Sequence, residues 1–219
     1  MNAHSSTAKN EKESRFWIRP YRDADFEAVY HVCLKTGDSG EDGTHLYDDP
    51  LILGHVYVGP YVTLEPELAF VLEDELGVCG YVLGALDSET FWKAYLEEWL
   101  PRIRESCPDP AGDPAMWTPT EKLYHFVHHP TVEAPPEVSG YPAHLHIDLL
   151  PRAQGQGNGT KMMQTLLDKL KEMGSPAVYL GMSSVNHRAY RFYTKLGFKE
   201  LCRVGSGEPH TVYLGLKLS

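Results

Sequence analysis

The chain has 219 residues, 42% hydrophobic and 23% charged, a composition that fits one large soluble domain or at most two small ones. No apolar run approaches the roughly 20 residues of a membrane span, and a net charge of −10 argues against sequence-independent binding to nucleic acid. Four scattered cysteines with no C-x-x-C pair read as thiols of a reducing cytoplasm.

Residues 1–15 lack the apolar core of a signal peptide and read as a disordered tail, leaving 16–219 as one domain. Phe16–Pro20 reads as a first strand. A helix follows, with Phe26, Val29, Tyr30, Cys33 and Leu34 as its apolar stripe. Residues 37–50 form a loop carrying Asp38, Glu41, Asp42, Asp48 and Asp49 without Lys or Arg, either a solvated turn or a guide for an amine. Residues 51–64 mix apolar positions with Gly54, Gly59 and Pro60 and give no clear element. Leu68–Leu72 and Val78–Leu86 predict a hairpin. Thr90–Leu100 predicts an aromatic helix, capped near Ser88 or Thr90 and ending before Pro101. Residues 101–142 are proline-rich and irregular. With the aromatic helix they make 90–142 an insertion fit for a substrate lid.

The segment Ala143–Met173 organises the rest. His144–Leu150 reads as a buried strand closed by Pro151. Gln154-Gly155-Gln156-Gly157-Asn158-Gly159 follows as a glycine turn. From Thr160 the residues Met162, Met163, Leu166, Leu167, Leu170 and Met173 recur at helical spacing up to a Gly174 cap. Glycines free backbone N–H groups to face a ligand, and a helix N-terminus adds positive partial charge, so the unit suits a phosphate-bearing molecule. Residues 152–203 hold nine Lys/Arg against three Asp/Glu, which leaves −16 on the rest of the chain. An anionic cofactor on one side and a cationic substrate on the other would suit that asymmetry. The glycines run G-x-G-x-G rather than the dinucleotide G-x-G-x-x-G, and Gly159-Thr160-Lys161 reverses the P-loop order, so both of those readings fail. Pro176–Met182 and Val212–Leu218 read as strands, and Asn186–Leu196 as a helix ended by Gly197. The strand–helix–strand unit at 144–182 implies a parallel pair in a mixed α/β sheet.

Gln154, Gly157 and Gly159 satisfy [QR]-x-x-G-x-[GA], and Asn186 to Phe198 follows N-x-x-A-x-x-F-Y-x-x-x-G-F. Together with the IRPYRDADFEAVY opening, these blocks resemble the GCN5-related N-acetyltransferase (GNAT) family over residues 16–219, with 90–142 outside the common pattern. FVLEDELGVCGYVLGALD, the aromatic helix and HIDLL…KMMQTLL…FYTKLGF further resemble the acetyltransferase-like C-terminal domain of the O-GlcNAcases. Animal members of that group have a degraded glycine loop, which this chain keeps. No glycosidase segment accompanies it, so O-GlcNAc hydrolysis is not implied.

The resemblance implies an α/β (α+β) single-domain fold: a mostly antiparallel mixed sheet, a splayed parallel strand pair and flanking helices. It implies acetyl-coenzyme A (acetyl-CoA) as cosubstrate and direct transfer of the acetyl group to an amine, with no metal, nucleic acid or membrane partner and a homodimer left open. The rival is a coenzyme-binding or degenerate domain with a regulatory role. By resemblance, the backbone from Gly155 through Gln156, Gly157, Asn158 and Gly159 to Thr160 holds the pyrophosphate together with Gln154. The free backbone near Leu149 and Leu150 pairs with pantetheine and polarises the thioester carbonyl. Asn186 bonds the pantetheine arm, besides capping its own helix, and Arg188 and Arg191 can meet phosphates. Tyr193 protonates the leaving thiolate, for which a phenol pKa of about 10 is well placed. Period two puts His144, His146 and Asp148 on one strand face, with Asp148 the first candidate base and His146 the second. The metal reading of His125, His128, His129, His144 and His146 has no cysteine or H-E-x-x-H support, and the expectation is that they are satisfied or exposed.

Overall fold

The computed structural model describes residues 15–218, so residues 1–14 of the expected tail lie outside the described residues. Seven strands form one mixed sheet: β1 (Trp17–Pro20), β2 (Ala69–Asp74), β3 (Gly77–Ala85), β4 (Ala143–Leu149), β5 (Ala177–Ser183), β6 (Lys199–Val204) and β7 (Thr211–Lys217), in the order β1-β2-β3-β4-β5-β7-β6. Every neighbouring pair is antiparallel except β4–β5. That parallel pair is in register at Ala143↔Val178 and His144↔Tyr179 alone, so the two strands diverge beyond His144.

Both sheet faces are covered. Helix α1 (Phe26–Lys35) and the short helices α2 (Ile52–Tyr57) and α3 (Gly59–Leu64) cover one face, where Tyr81, His144 and Asp148 point. On the other face lies α7 (Asn158–Glu172), burying Met162, Met163, Leu166, Leu167 and Leu170. Its Leu166 sits against Gly84, where a Cβ would come within 2.8 Å of the leucine. The chain leaves α7 through Gly174, at φ +87°, with Ser175 N–H returning to the Leu170 carbonyl, a Schellman closure that only an unhindered residue makes without cost. Helix α8 (His187–Lys195) follows β5.

Several elements differ from the sequence expectation. Helix α7 starts at Asn158, two residues early, because Gly157 adopts φ +79° and serves as its N-cap. The aromatic helix is α4 (Ser88–Ala94), and its cap is the Asp87 carboxylate, which accepts from Thr90 N–H at 2.9 Å. It does not stop before Pro101. A π-helical turn, Tyr95–Trp99, shifts the register, and α5 (Leu100–Ile103) continues with Pro101 in its first turn, where no N–H is required. Within 101–142, Thr118 and Glu121 form a reciprocal capping box that starts α6 (Pro119–His128). Residues 51–64 are α2 and α3, and β6 is an exposed edge strand.

Candidate active site

Two clefts meet along β4. The first, of about 430 Å³, is lined by Ile147, Asp148 and Leu149, by Gln154, Gly155, Gly157, Gly159 and Thr160 of the glycine turn, and by Asn186, Arg188 and Tyr193 of the α8 region. Gly155 (φ +75°) and Gly157 (φ +79°) hold left-handed backbone that a side chain would oppose, while Gly159 faces the Phe192 ring, 3.2 Å from where its Cβ would stand. The Gln154 side chain is a strut. Its Nε2 donates to the Leu149 carbonyl at 2.7 Å, and its Oε1 accepts from Arg188. Asn158 and Gln156 do not line the cleft. Asn158 is buried and donates to the Ala153 carbonyl, while Gln156 is exposed and reaches the Arg152 carbonyl. Asn186 caps α8 by accepting from Ala189 N–H at 3.0 Å, and it also lines the cleft.

The free edge of β4 is set by alternation. Leu150 N–H bonds to the Cys79 carbonyl on the β3 side at 2.8 Å. Ile147 and Leu149 therefore present their backbone to the opposite edge, where β5 has already diverged. Leu150 is thus not a free partner. Ile147 takes its place beside Leu149.

Asp148 sits where these features converge. It is half-buried in the sheet and accepts from the Tyr81 hydroxyl at 2.6 Å. Burial raises its carboxyl to about 6, only partly opposed by that hydrogen bond. Tyr193 is also buried. Burial first, and the nearby Asp148 charge second, hold its phenol well above the usual value. Tyr193 therefore stays protonated at neutral pH and lines the first cleft as a hydrogen-bond donor rather than as an acid matched to a thiol.

The second cleft, of about 640 Å³, begins where the first ends, at His144, Leu145 and His146 of β4, and follows β5 from Tyr179 to Ser183. Tyr57, Tyr61, Trp92, Tyr95 and Tyr213 also line it, with residues 131–134. His144 is fixed between Ser88 Oγ and Tyr61 Oη, both at 2.8 Å, and stacks on Trp92. Burial pushes His144 well down, with His146 adding to it, and burial pushes His146 to about 4, so both stay neutral at pH 7.

A model of the Acetyltransferase (GNAT) family matches residues 123–198. The crystal structure of SsHAT is 42% identical, with a TM-score of 0.85 over 94% of this chain and 100% of that one. The chain belongs to the GNAT family. Protein O-GlcNAcase of Rattus norvegicus and of Mus musculus is 31% identical over 205 residues, 93% of this chain; the chain spans 22% of the length of those two relatives. The yncA structure from Salmonella typhimurium, solved with its cofactor acetyl-CoA, shares the GNAT fold at a TM-score of 0.54 and 16% identity over 94% of this chain and 95% of that one.

Within this GNAT fold some residues singled out from the sequence stand away from both clefts. The acidic loop is occupied with itself and its neighbours: Asp42 pairs with Lys35 at 2.8 Å, and Asp49 accepts from Tyr124 and from Leu51 N–H. None of its carboxylates lines either cleft. Arg191 does not line the first cleft, whereas Lys195, Thr36 and Gly40 do. The last two come from the end of α1, and no motif marks them. His128 meets the Cys107 carbonyl at 2.6 Å, and His125 and His129 converge on Asp109, a hydrogen-bonded cluster tying α6 to the loop before it. No helix among the described residues is long and apolar enough to cross a membrane.

Proposed function

We propose that the chain is an acetyl-CoA-dependent N-acetyltransferase that passes the acetyl group directly to an amine. The observation that carries this reading is the junction of two clefts along the unpaired edge of β4, with a glycine turn at one end and Asp148 and Tyr193 where they meet. The coenzyme supplies the thioester; the chain supplies the rest. Backbone N–H groups at Gly155 to Thr160, the start of α7 and Arg188 suit a pyrophosphate. The Ile147 and Leu149 backbone suits the amides of pantetheine and can polarise the thioester carbonyl.

The acceptor enters as an ammonium and must lose a proton before attack. Asp148, ionised above about pH 6, takes that proton directly or through water. The C–N bond then forms as the C–S bond breaks, and the second amine proton leaves as the amide appears. The sulfur departs as thiolate, steadied by the Tyr193 hydroxyl, and takes up that second proton to be released as the thiol. Residues 90–142, which bring Trp92, Tyr95, Phe126 and 131–134 to the second cleft, serve as the acceptor lid.

Titration calorimetry with acetyl-CoA is the first test, with micromolar or tighter binding expected. Coenzyme A release across a panel of amines is the second. Absence of binding would overturn the reading, and binding without release from any amine would make the domain a coenzyme-binding module instead.

A further inference from the structure

Asp109, His125 and His129 line neither cleft. Among the described residues they are the one group of three or more His, Cys, Asp or Glu side chains close enough to share an ion. His125 lies in the last turn of α6 and His129 is its C-cap. The His129 N–H donates to the His125 carbonyl at 2.8 Å, and the two rings stand 4.4 Å apart between centres. Spacing of i and i+4 thus puts both imidazoles on one face. Asp109 comes from the loop sixteen residues before His125. One of its oxygens lies 3.4 Å from His125 Nδ1 and the other 2.8 Å from His129 Nε2. Trp117 packs on His125 at 4.7 Å and donates its indole N–H to the Ala111 carbonyl at 3.1 Å, so the loop folds back on this end of α6.

Donors around one tetrahedral zinc ion stand about 3.3 Å apart, given bonds of about 2.0–2.1 Å. The two carboxylate–imidazole separations bracket that distance, and one donor atom from each residue lies within 4.8 Å of the others. The side chains are 41% to 55% exposed, which leaves them room to close the remaining gap. Two imidazoles with a single carboxylate suit zinc and its first-row neighbours, whereas magnesium and calcium call for more oxygen ligands. We infer that Asp109, His125 and His129 bind zinc, with water completing the shell, and that the ion staples the 109–117 loop to α6. Phe126, beside His125, and residues 131–134, just past His129, line the aromatic cleft. The ion therefore braces one wall of that cleft without entering it. Histidine spacing alone did not mark the site, because its carboxylate comes from a separate loop.

The test uses the untagged full chain, stripped with a chelator and titrated with zinc at neutral pH against a chromophoric zinc indicator. One equivalent should bind with a Kd of about 1 μM or tighter. His125→Gln and His129→Gln should each weaken it by about 10-fold or more, and so should Asp109→Asn, which keeps a hydrogen-bonding oxygen but loses the charge. His31→Gln, at an exposed position on α1, should leave the affinity unchanged. Zinc at about 100 times its Kd should raise Tm by about 5 °C or more in the parent and by much less in the three variants. Amide exchange at 131–134 should slow when the ion binds. A Kd weaker than about 100 μM, or equal affinity in parent and all three variants, would overturn the site. Zinc held by these residues with exchange at 131–134 unaltered would overturn the brace.

Discussion

Replacing Asp148 with asparagine should make the protein more stable and less active, and the two effects share one cause. An aspartate in water titrates near 3.9, whereas burial raises the Asp148 carboxyl to about 6. At 1.36 kcal/mol per pH unit, the roughly two units between them mean that the folded protein holds the charged carboxylate less favourably than water does, by about 3 kcal/mol. Because the folded value is the higher one, the carboxyl's favourable contribution is complete below about pH 4 and is lost as pH rises through 6. An uncharged amide of the same shape keeps an oxygen for the Tyr81 hydroxyl and escapes that loss. Asp148→Asn should therefore gain up to about 3 kcal/mol at pH 8 and about half of that at pH 5, an upper limit of about 6–12 °C in Tm for a domain of this size. Thermal unfolding followed by circular dichroism at both pH values measures it. In parallel, kcat/KM of the parent should rise through pH 6, and the variant should lose about 100-fold or more at pH 8. A variant less stable than the parent at pH 8, or a stability difference flat between pH 5 and 8, would refute the account of a poorly solvated base.

Tyr193→Phe should lower kcat by about 100-fold while acetyl-CoA affinity stays within a factor of two, as calorimetry and coenzyme A release can establish together. Gly157→Ala puts a Cβ at φ +79°. It should cost about 1 kcal/mol in urea unfolding and weaken coenzyme binding through the displaced turn. Asp74 is buried, which pushes its carboxyl up, but Arg152 and the Leu76 N–H outweigh that and hold it below the usual range. Arg152→Ala should therefore cost about 1–3 kcal/mol at pH 7, and less as pH falls through the Asp74 value and the carboxylate is protonated.

The glycine turn and the Asn186–Phe198 block were legible because their chemistry is local. Left-handed glycines, an N-cap asparagine and a helix start leave marks at fixed spacings. Thr36, Gly40 and Lys195 leave no such mark, since they reach the cleft only through the packing of α1 and α8 against the sheet. The choice of Ile147 over Leu150 as Leu149's companion rests on which edge of β4 faces β3, and that depends on a partner strand some 70 residues away in the chain. The α6 capping box, Thr118 with Glu121, was present as a pattern but stood among prolines that suggested no structure. The setting of Tyr95 was not legible, because it depends on a π turn, at whose end the Trp99 indole N–H donates to the His55 carbonyl at 2.8 Å.

The two rungs that join β4 to β5 divide the sheet into a four-strand block and a three-strand block. Backbone hydrogen bonding across that seam is confined to one end, with α7 spanning the connection from β4 to β5. A molecule laid along the gap would act as a missing strand and staple the blocks together. Amide exchange at Ile147 and Leu149 should then slow on coenzyme binding, together with protection spreading into β5 and β7, so that the protein's mechanical continuity becomes a property of its substrate.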